Sequence, residues 1–273
     1  MYQCKELNKS FETKEEMFKE LILNKSTVIA QKKSVIKQAD GIGMIQSLAD
    51  SSGVKKEYSP ITEDISELKV TAVINTTNLM DSHGDVHFPG IWNKSLKENR
   101  SIMHLQEHQM QFDKIISDGN DLKAYVSDIS WKELGYNYIG HTQALVFEST
   151  VKSSRNTQMF KEYKNANVRN HSVGMRYVKM ELAVNSDEDW AKEEKETWDK
   201  YIGKVANRDM AEAEGHFWAV TEAKVIEGSA VPIGSNHITP TLHNKNIEAE
   251  KSLHTEPSND TQTFIDILKQ IKI

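Results

Sequence analysis

A two-residue periodicity is the feature that most constrains how this chain folds. Apolar and polar side chains alternate over residues 68–75 and 121–129, which is typical of β-strands with one buried face. Further strands are predicted at residues 144–147, 172–184 and 215–231, which are rich in β-forming residues. Helical spacing is confined to segments between these strands and to the two ends, so the chain is predicted to be an α+β protein.

The helical segments indicate the order of parts along the chain. Thr13 and Glu16 form a capping-box sequence, which predicts a helix start near residue 13. Residues 1–60 are interpreted as a helical N-terminal extension that packs on the rest of the protein. A domain over residues 61–243 follows, with a charged amphipathic helix inserted at about residues 186–205.

Two further segments of the chain are predicted to contain neither strand nor helix. Residues 78–92 are rich in Asp and Gly and predict a loop in which Asp81 and Asp85 cap turns. Residues 244–260 are polar and predict a linker. Apolar residues then recur at helical spacing, which predicts a C-terminal amphipathic helix over residues 261–273.

Net charge and cysteine content narrow the class of protein. The chain has 34 Lys and Arg against 40 Asp and Glu, a net charge of −6, and its basic residues are spread along the sequence. This pattern argues against nucleic acid and membrane surfaces as partners. The single cysteine, Cys4, cannot form an internal disulfide, and no apolar run approaches the roughly 20 residues that span a bilayer. The chain is therefore predicted to be intracellular and unanchored.

Ser172 stands beside Gly174 at the point where a helical pattern gives way to a β-rich run. A serine nucleophile needs such a rigid position, together with a general base and a third group that orients the base. His108 is a candidate base. Glu227 lies among apolar residues, where a charge needs a partner, and is a candidate third group. Alternatives for the orienting role are His141, His171 and His216.

Residues 104–108 support a competing interpretation. His104, Glu107 and His108 have the H-x-x-E-H spacing of inverted zinc peptidases. In those enzymes two histidines one helical turn apart bind zinc, and the glutamate activates water. A third ligand would have to come from further along the chain, where no single residue stands out. At this point the sequence leaves both a serine and a zinc mechanism open.

Four blocks of sequence occur together in a characteristic order. They are residues 81–86 (Asp-Ser-His-Gly-Asp-Val) with Pro89-Gly90, 105–109 (Leu-Gln-Glu-His-Gln), 171–175 (His-Ser-Val-Gly-Met), and 226–231 (Ile-Glu-Gly-Ser-Ala-Val) with 234–236 (Gly-Ser-Asn). This set resembles the prohead maturation proteases of tailed bacteriophages, serine peptidases related in fold to the herpesvirus assemblins. The resemblance covers about residues 68–242.

The chain departs from the family pattern at several places. Met175 stands where the family commonly has an aromatic residue, and Glu227 belongs to Glu-Gly-Ser instead of the usual Glu-Val-Ser. The charged helix at residues 186–205 lengthens the path between the nucleophile and the third residue. The herpesvirus relatives use a second histidine in place of the glutamate.

The resemblance implies a mainly antiparallel β-barrel of the assemblin-like type surrounded by helices, with helical N- and C-terminal extensions. It implies that Ser172 is the nucleophile, His108 the catalytic histidine and Glu227 the third member, with no cofactor and no metal. Backbone N–H groups near the serine, or the side chains of Arg169 or Arg176, would hold the oxyanion.

The function implied by the resemblance is that of a serine endopeptidase of phage head maturation. It would process scaffold and major capsid precursor proteins, and also itself, inside the immature prohead in the host cytoplasm. Self-cleavage would fall in the linker at residues 244–260, and a homo-oligomer is a further option. Two alternatives stay open, a zinc peptidase built on His104, Glu107 and His108, and a non-catalytic capsid-assembly protein that keeps the fold.

Overall fold

The computed structural model describes residues 1–36, 58–99 and 101–247. Within these ranges the strands are β1 (Tyr2–Cys4), β2 (Lys9–Phe11), β3 (Glu67–Thr76), β4 (Asp85–His87), β5 (Met103–Gln106), β6 (Ile115–Asp118), β7 (Leu122–Ser130), β8 (His141–Lys152), β9 (Asn170–Val184), β10 (His216–Val231) and β11 (Thr241–Asn246). The helices are α1 (Lys14–Leu23), α2 (Lys25–Ser34), α3 (Asn93–Glu98), α4 (Thr157–Lys164), α5 (Lys192–Tyr201) and α6 (Arg208–Glu214). No helix in these ranges is long and apolar enough to cross a bilayer.

The strand β10 is the centre of the first sheet. β9 runs antiparallel along one edge of β10, from Asn170 to Val184. On the other edge, β4 pairs in parallel with the first part of β10, and β5 pairs in parallel with Glu227 to Ala230. β6 extends the sheet beyond β5 in antiparallel fashion. One strand therefore brings its residues close to both β5 and β9.

The second sheet has the antiparallel strand order β11-β3-β8-β7. It packs against the first sheet where Gly228 of β10 has no side chain. A Cβ atom there would collide with Phe147 of β8 and Ile74 of β3. Val173 of β9 joins the same apolar core, so one face of the β9–β10 pair is fixed against the second sheet.

The α+β class is confirmed, but the predicted barrel is not. The strands in the described ranges form three sheets, one of them the small β1–β2 hairpin, and none of the three closes into a barrel. Closure would need an outer strand of one sheet to pair with an outer strand of another. Among the described strands, β9 pairs only with β10, and β6 only with β5, so the sheets stay separate.

The N-terminal extension packs on the main body. α1 begins at the predicted capping box, in which Thr13 and Glu16 satisfy each other's backbone N–H groups. Met17, Leu21 and Val28 are buried in the same core as the two sheets. Ahead of α1, the three-residue strands β1 and β2 form a hairpin that was not predicted from the sequence.

Two predicted boundaries were also wrong. The loop predicted at residues 78–92 contains β4, whose three residues are all buried. β4 has only three residues, Asp-Val-His, which is too short for a periodic pattern to be recognised in the sequence. The predicted linker at residues 244–260 begins inside β11, which runs to Asn246. Its remainder and the predicted helix at residues 261–273 lie outside the described residues.

The charged insertion at residues 186–205 is helical, as predicted, but in three pieces. α5 occupies its middle, and a 3₁₀ turn lies on either side. Trp198 and Tyr201 are buried in a small cluster with Phe217 of β10. These two aromatic residues therefore pack in the core.

A buried polar network ties β5, β9 and α4 together between the two sheets. The Tyr163 hydroxyl lies 3.1 Å from His104 Nε2 and 2.9 Å from His171 Nε2. His171 Nδ1 lies 3.0 Å from the Thr239 carbonyl oxygen, and His104 Nδ1 lies 2.9 Å from the Ser149 hydroxyl. Burial lowers the pKa of His171 to about 4 and that of His104 well below its ordinary value, so both rings are neutral near pH 7.

One set of protons satisfies this network. A carbonyl oxygen can only accept, so His171 carries its proton on Nδ1, and its Nε2 accepts from the Tyr163 hydroxyl. The Tyr163 oxygen then accepts from Nε2 of His104, whose Nδ1 accepts from Ser149. All four side chains are satisfied only when both histidines are neutral. His171 therefore has a structural role in this network and is not the residue that orients His108.

We expect this network to make folding sensitive to acid. The unfolded chain protonates His171 below about pH 6.5, whereas the folded chain does so only near pH 4. The unfolded state binds more protons between these values, so the free energy of unfolding should fall as pH falls through this window, by about 3 kcal/mol from His171 alone. Urea unfolding at pH 7, 5.5 and 4.5 measures the decline. A His171→Leu variant should decline less steeply, and an equal slope would contradict the assignment.

Candidate active site

The candidate site lies on the face of the β9–β10 pair that is turned away from the second sheet. Side chains alternate between the two faces of a strand. In the antiparallel register Ser172 stands opposite Ser229, and Gly174 stands opposite Glu227. These four residues therefore share one face. His171 and Val173 point to the other face, which explains why adjacent residues differ so much in role.

Glu227 is a fully buried carboxylate with two close partners. Its Oε1 lies 2.6 Å from His108 Nδ1, and its Oε2 accepts a hydrogen bond of 2.6 Å from the Ser229 hydroxyl. A carboxylate accepts, so the Nδ1 of His108 carries the proton and donates. The Nε2 of a neutral His108 then keeps its lone pair, and this is the tautomer that a general base needs.

Ser229 lies two residues beyond Glu227 on the same strand face and contacts both Glu227 and His108. Its hydroxyl donates to Glu227 and accepts a 3.1 Å hydrogen bond from the backbone N–H of His108. One buried hydroxyl thus holds both the carboxylate and the backbone of the histidine. Ser229 is not among the site residues predicted from the sequence. The signal that could have found it is the two-residue spacing from Glu227 on a predicted strand.

His108 reaches Glu227 through a tight turn at the end of β5. Glu107 and His108 have φ values of 52° and 58°, and the Gln109 N–H donates to the Gln106 carbonyl over 3.0 Å. Two consecutive left-handed residues closed in this way form a type I′ turn, which usually contains Gly, Asn or Asp. Backbone strain of this kind often marks a functional position.

Gly174 leaves the space that the carboxylate occupies. A Cβ atom at this position would overlap Oε1 of Glu227. The backbone of Gly174 does not have a positive φ, so the glycine is required by the close approach of the Glu227 side chain and not by its own conformation. The Ser-x-Gly pattern therefore has a structural reason, since the glycine stands two residues beyond Ser172 on the same face.

Ser172 is one of the residues that line a narrow cleft at the edge of β9. Its side chain is largely covered, with the residue 7% exposed. The cleft is lined by polar and apolar side chains from four parts of the chain: Ile74, Asn75, Asp81, His83, His87, Ser172, Val173, Met175, Tyr177, Ser235 and Asn236. Asp81 caps a turn, as predicted, by accepting from the N–H groups of His83 and Asp85. Asp85 instead lies in β4 and pairs with Lys32.

The remaining candidates lie elsewhere. His216 is buried against Phe18 at the start of β10, and burial lowers its pKa. His141 is exposed at the start of β8, and Arg169 and Arg176 are exposed on either side of the Ser172 segment. The third position next to His108 is occupied by Glu227 and not by a second histidine.

The zinc interpretation requires residues 104–108 to form a helix, and in the structure they do not. His104 lies in strand β5, and His108 lies in the turn that follows. Both ring nitrogens of His104 have buried hydrogen-bond partners, and Glu107 is exposed. In the described parts of the chain no three His, Cys, Asp or Glu side chains are grouped to hold a metal ion.

We expect the His108–Glu227 hydrogen bond to give a distinct spectroscopic signal. A short bond from an imidazole N–H to a buried carboxylate moves the proton resonance strongly downfield. ¹H NMR of the parent should show this resonance, and Glu227→Gln should lose it because the charge is removed. Glu107→Gln is the matched control and should keep it. A downfield resonance that survives Glu227→Gln would contradict the pairing.

Substitution of Gly174 should destabilise the protein through Glu227. Gly174→Ala places a methyl group against Oε1, and overpacking of this kind costs about 1–3 kcal/mol. Gly203→Ala is the control, since nothing lies within 4 Å of a Cβ atom there. Urea unfolding at pH 7 compares the two. Equal stability of the two variants would show that the carboxylate can move without cost.

Comparisons with protein families, with curated proteins and with solved structures find no match for this chain. The assignment of the site therefore rests on the arrangement of its own residues.

Proposed function

We propose that the protein is a serine endopeptidase, with Ser172 as nucleophile, His108 as general base and Glu227 as the group that orients the histidine. The observation that carries the proposal is the fully buried Glu227, which accepts from His108 Nδ1 on the same strand face as Ser172. Burying a carboxylate is costly, and this one accepts a hydrogen bond that sets the tautomer of His108 and stands on the strand face that also carries Ser172. That combination is the functional logic of a catalytic triad.

In the proposed reaction His108 Nε2 takes the proton of the Ser172 hydroxyl as its oxygen bonds to a peptide carbonyl carbon. The histidine then gives the proton to the leaving amine nitrogen as the C–N bond breaks, which leaves an acyl ester on Ser172. Water attacks this ester with His108 again as the base, and the proton returns to Ser172 as the acid product leaves. Glu227 stays ionised and stabilises the imidazolium at both stages.

A backbone donor for the oxyanion is favoured over an arginine. The N–H and carbonyl of His171 bond to Thr239, on the edge of β9 away from β10. Backbone groups two residues apart point the same way in a regular strand, so the N–H of Val173 faces this edge, one residue beyond the nucleophile. Arg169 and Arg176 are exposed, and a solvated charge stabilises an oxyanion less than an N–H group in a cleft.

The proposed substrates are phage scaffold and major capsid precursor proteins, and the proposed place of action is the immature prohead in the host cell. This part of the proposal is supported by the ordered resemblance of four sequence blocks to prohead proteases, all of which fall within the described residues. Three of the blocks supply His108, Ser172 and Glu227. An assemblin-like relationship, self-cleavage and self-association belong to the same proposal.

The test is to expose the purified full-length chain to an alkyl fluorophosphonate and, separately, to its scaffold protein. We expect a single adduct on Ser172 and discrete scaffold fragments, both measured by mass spectrometry. Ser172→Ala should lower the cleavage rate by about 10⁴-fold or more. Ser101→Ala, which changes an exposed serine, is the matched control and should behave like the parent.

Other outcomes separate the alternatives. Cleavage that survives Ser172→Ala would overturn the serine mechanism, and loss of that cleavage on treatment with a chelator would favour a metal mechanism. A parent protein that binds scaffold but neither reacts with the fluorophosphonate nor cuts would favour a non-catalytic assembly role.

A further inference from the structure

A buried lysine of the N-terminal extension reaches towards the cleft beside Ser172. Lys32, in the last turn of α2, is only 8% exposed. Its Nζ lies 2.6 Å from Asp85 Oδ1 and 3.8 Å from Glu6 Oε1. Burial acts to lower the pKa of Lys32, but Asp85 and Glu6 outweigh burial and leave this pKa above its ordinary value. The ammonium group is therefore charged.

A directed series of hydrogen bonds runs from this ion pair. The Tyr177 hydroxyl donates to Asp85 Oδ2 over 2.8 Å, so its oxygen accepts from His87 Nε2 at 3.0 Å. His87 Nδ1 then accepts from the Asn75 amide group at 3.2 Å, because a neutral imidazole has one donor and one acceptor. Asn236 in turn donates to Asn75 Oδ1 over 2.6 Å. Each bond fixes the direction of the next.

The far end of this series forms part of the cleft. Asn75, His87, Tyr177 and Asn236 all line it together with Ser172. His108 and Glu227 are not among the lining residues, so the series acts on the cleft and not on the histidine–glutamate pair. Tyr177 also lies on β9, the strand that carries Ser172.

We propose that Lys32 is a positioning residue for substrate, which acts through Asp85 and Tyr177 to fix His87 and Asn75 as the floor of a subsite for the polypeptide chain beside Ser172. This inference rests on the proposed peptidase function. It makes the N-terminal extension part of the substrate-binding site, whereas the sequence indicated only a packed arm.

A role in protein stability alone accounts less well for the buried Lys32–Asp85 ion pair. The desolvation of two charges offsets most of the attraction in a buried ion pair, so such pairs add little net stability. Without Lys32, the buried Asp85 carboxylate would lose the cation that lies 2.6 Å from its Oδ1. The Tyr177 hydroxyl, which donates to the other oxygen of Asp85, would then lose its fixed partner, and so would His87 behind it.

The experiment compares two reagents that react with the same serine. Ethyl fluorophosphonate is small and reports the reactivity of Ser172. A mixed library of tripeptidyl diphenyl phosphonates must also place a peptide in the cleft. The ratio of their two second-order rate constants, peptidyl over ethyl, isolates the contribution of the cleft and is insensitive to the fraction of folded protein.

We expect Lys32→Met and Tyr177→Phe each to lower this ratio about tenfold, the equivalent of one hydrogen bond, because the peptidyl rate should fall more than the ethyl rate. The double variant should lower the ratio no further, because both changes break the same series. Tyr177→Phe leaves the Lys32–Asp85 pair in place, so it provides the test if Lys32→Met does not fold.

Lys25→Met is the matched control. Lys25 lies on the same helix, and its Nζ is 2.6 Å from Glu194 Oε1 and 3.1 Å from Glu193 Oε2. It therefore attaches α2 to α5 without contact to the cleft, and its loss should leave the ratio unchanged. An equal loss in Lys25→Met would show that only the docking of the helix matters and would overturn the inference.

The remaining outcomes also decide the question. An unchanged ratio in folded Tyr177→Phe would overturn the positioning role and leave the peptidase function intact. A parent protein that reacts with ethyl fluorophosphonate but not with the peptidyl library would show that the cleft does not take a peptide. No reaction at Ser172 with either reagent would overturn both the inference and the proposed function.

Discussion

The burial of the Glu227 carboxylate is the constraint on which the candidate site depends. A charge in the interior is stable only with close hydrogen-bond partners, and Glu227 has two, at 2.6 Å each. The other features follow from this need. Gly174 leaves the carboxylate its space, Ser229 satisfies its second oxygen, and the strained turn after β5 brings His108 to its first.

The alternation of side chains along β9 separates structural from chemical roles. His171 faces the second sheet, where Tyr163 and Thr239 hold it in a neutral network. Ser172 faces the opposite side, with Ser229 and Glu227. The network on the inner face also holds His104 of β5, the strand that leads to His108. The packing of the core therefore fixes β9, which carries Ser172, and β5, which leads to the turn with His108.

A second group of buried charges is linked by hydrogen bonds to the cleft that Ser172 lines. Lys32 and Asp85 connect the N-terminal extension to Tyr177 and His87 at the cleft. Serine reactivity and peptide binding would thus depend on two different networks, one centred on Glu227 and the other on Asp85. This separation is what allows a small and a peptidyl reagent to report on them independently.

The sequence by itself determined the α+β class, the five longest strands and the capping box of α1, because alternation and capping are local signals. It also named His108, Ser172 and Glu227 as candidates, through the ordered blocks that resemble prohead proteases and through the charge of Glu227 in an apolar run. Only the tertiary structure decided that β4 is a strand, that the described sheets stay open, and that His104 is a core residue. It also decided the partners of Glu227. Residue 227 meets residues 108 and 174 only through the pairing of β10 with β5 and β9, and strand register depends on packing between distant segments, which no local pattern encodes.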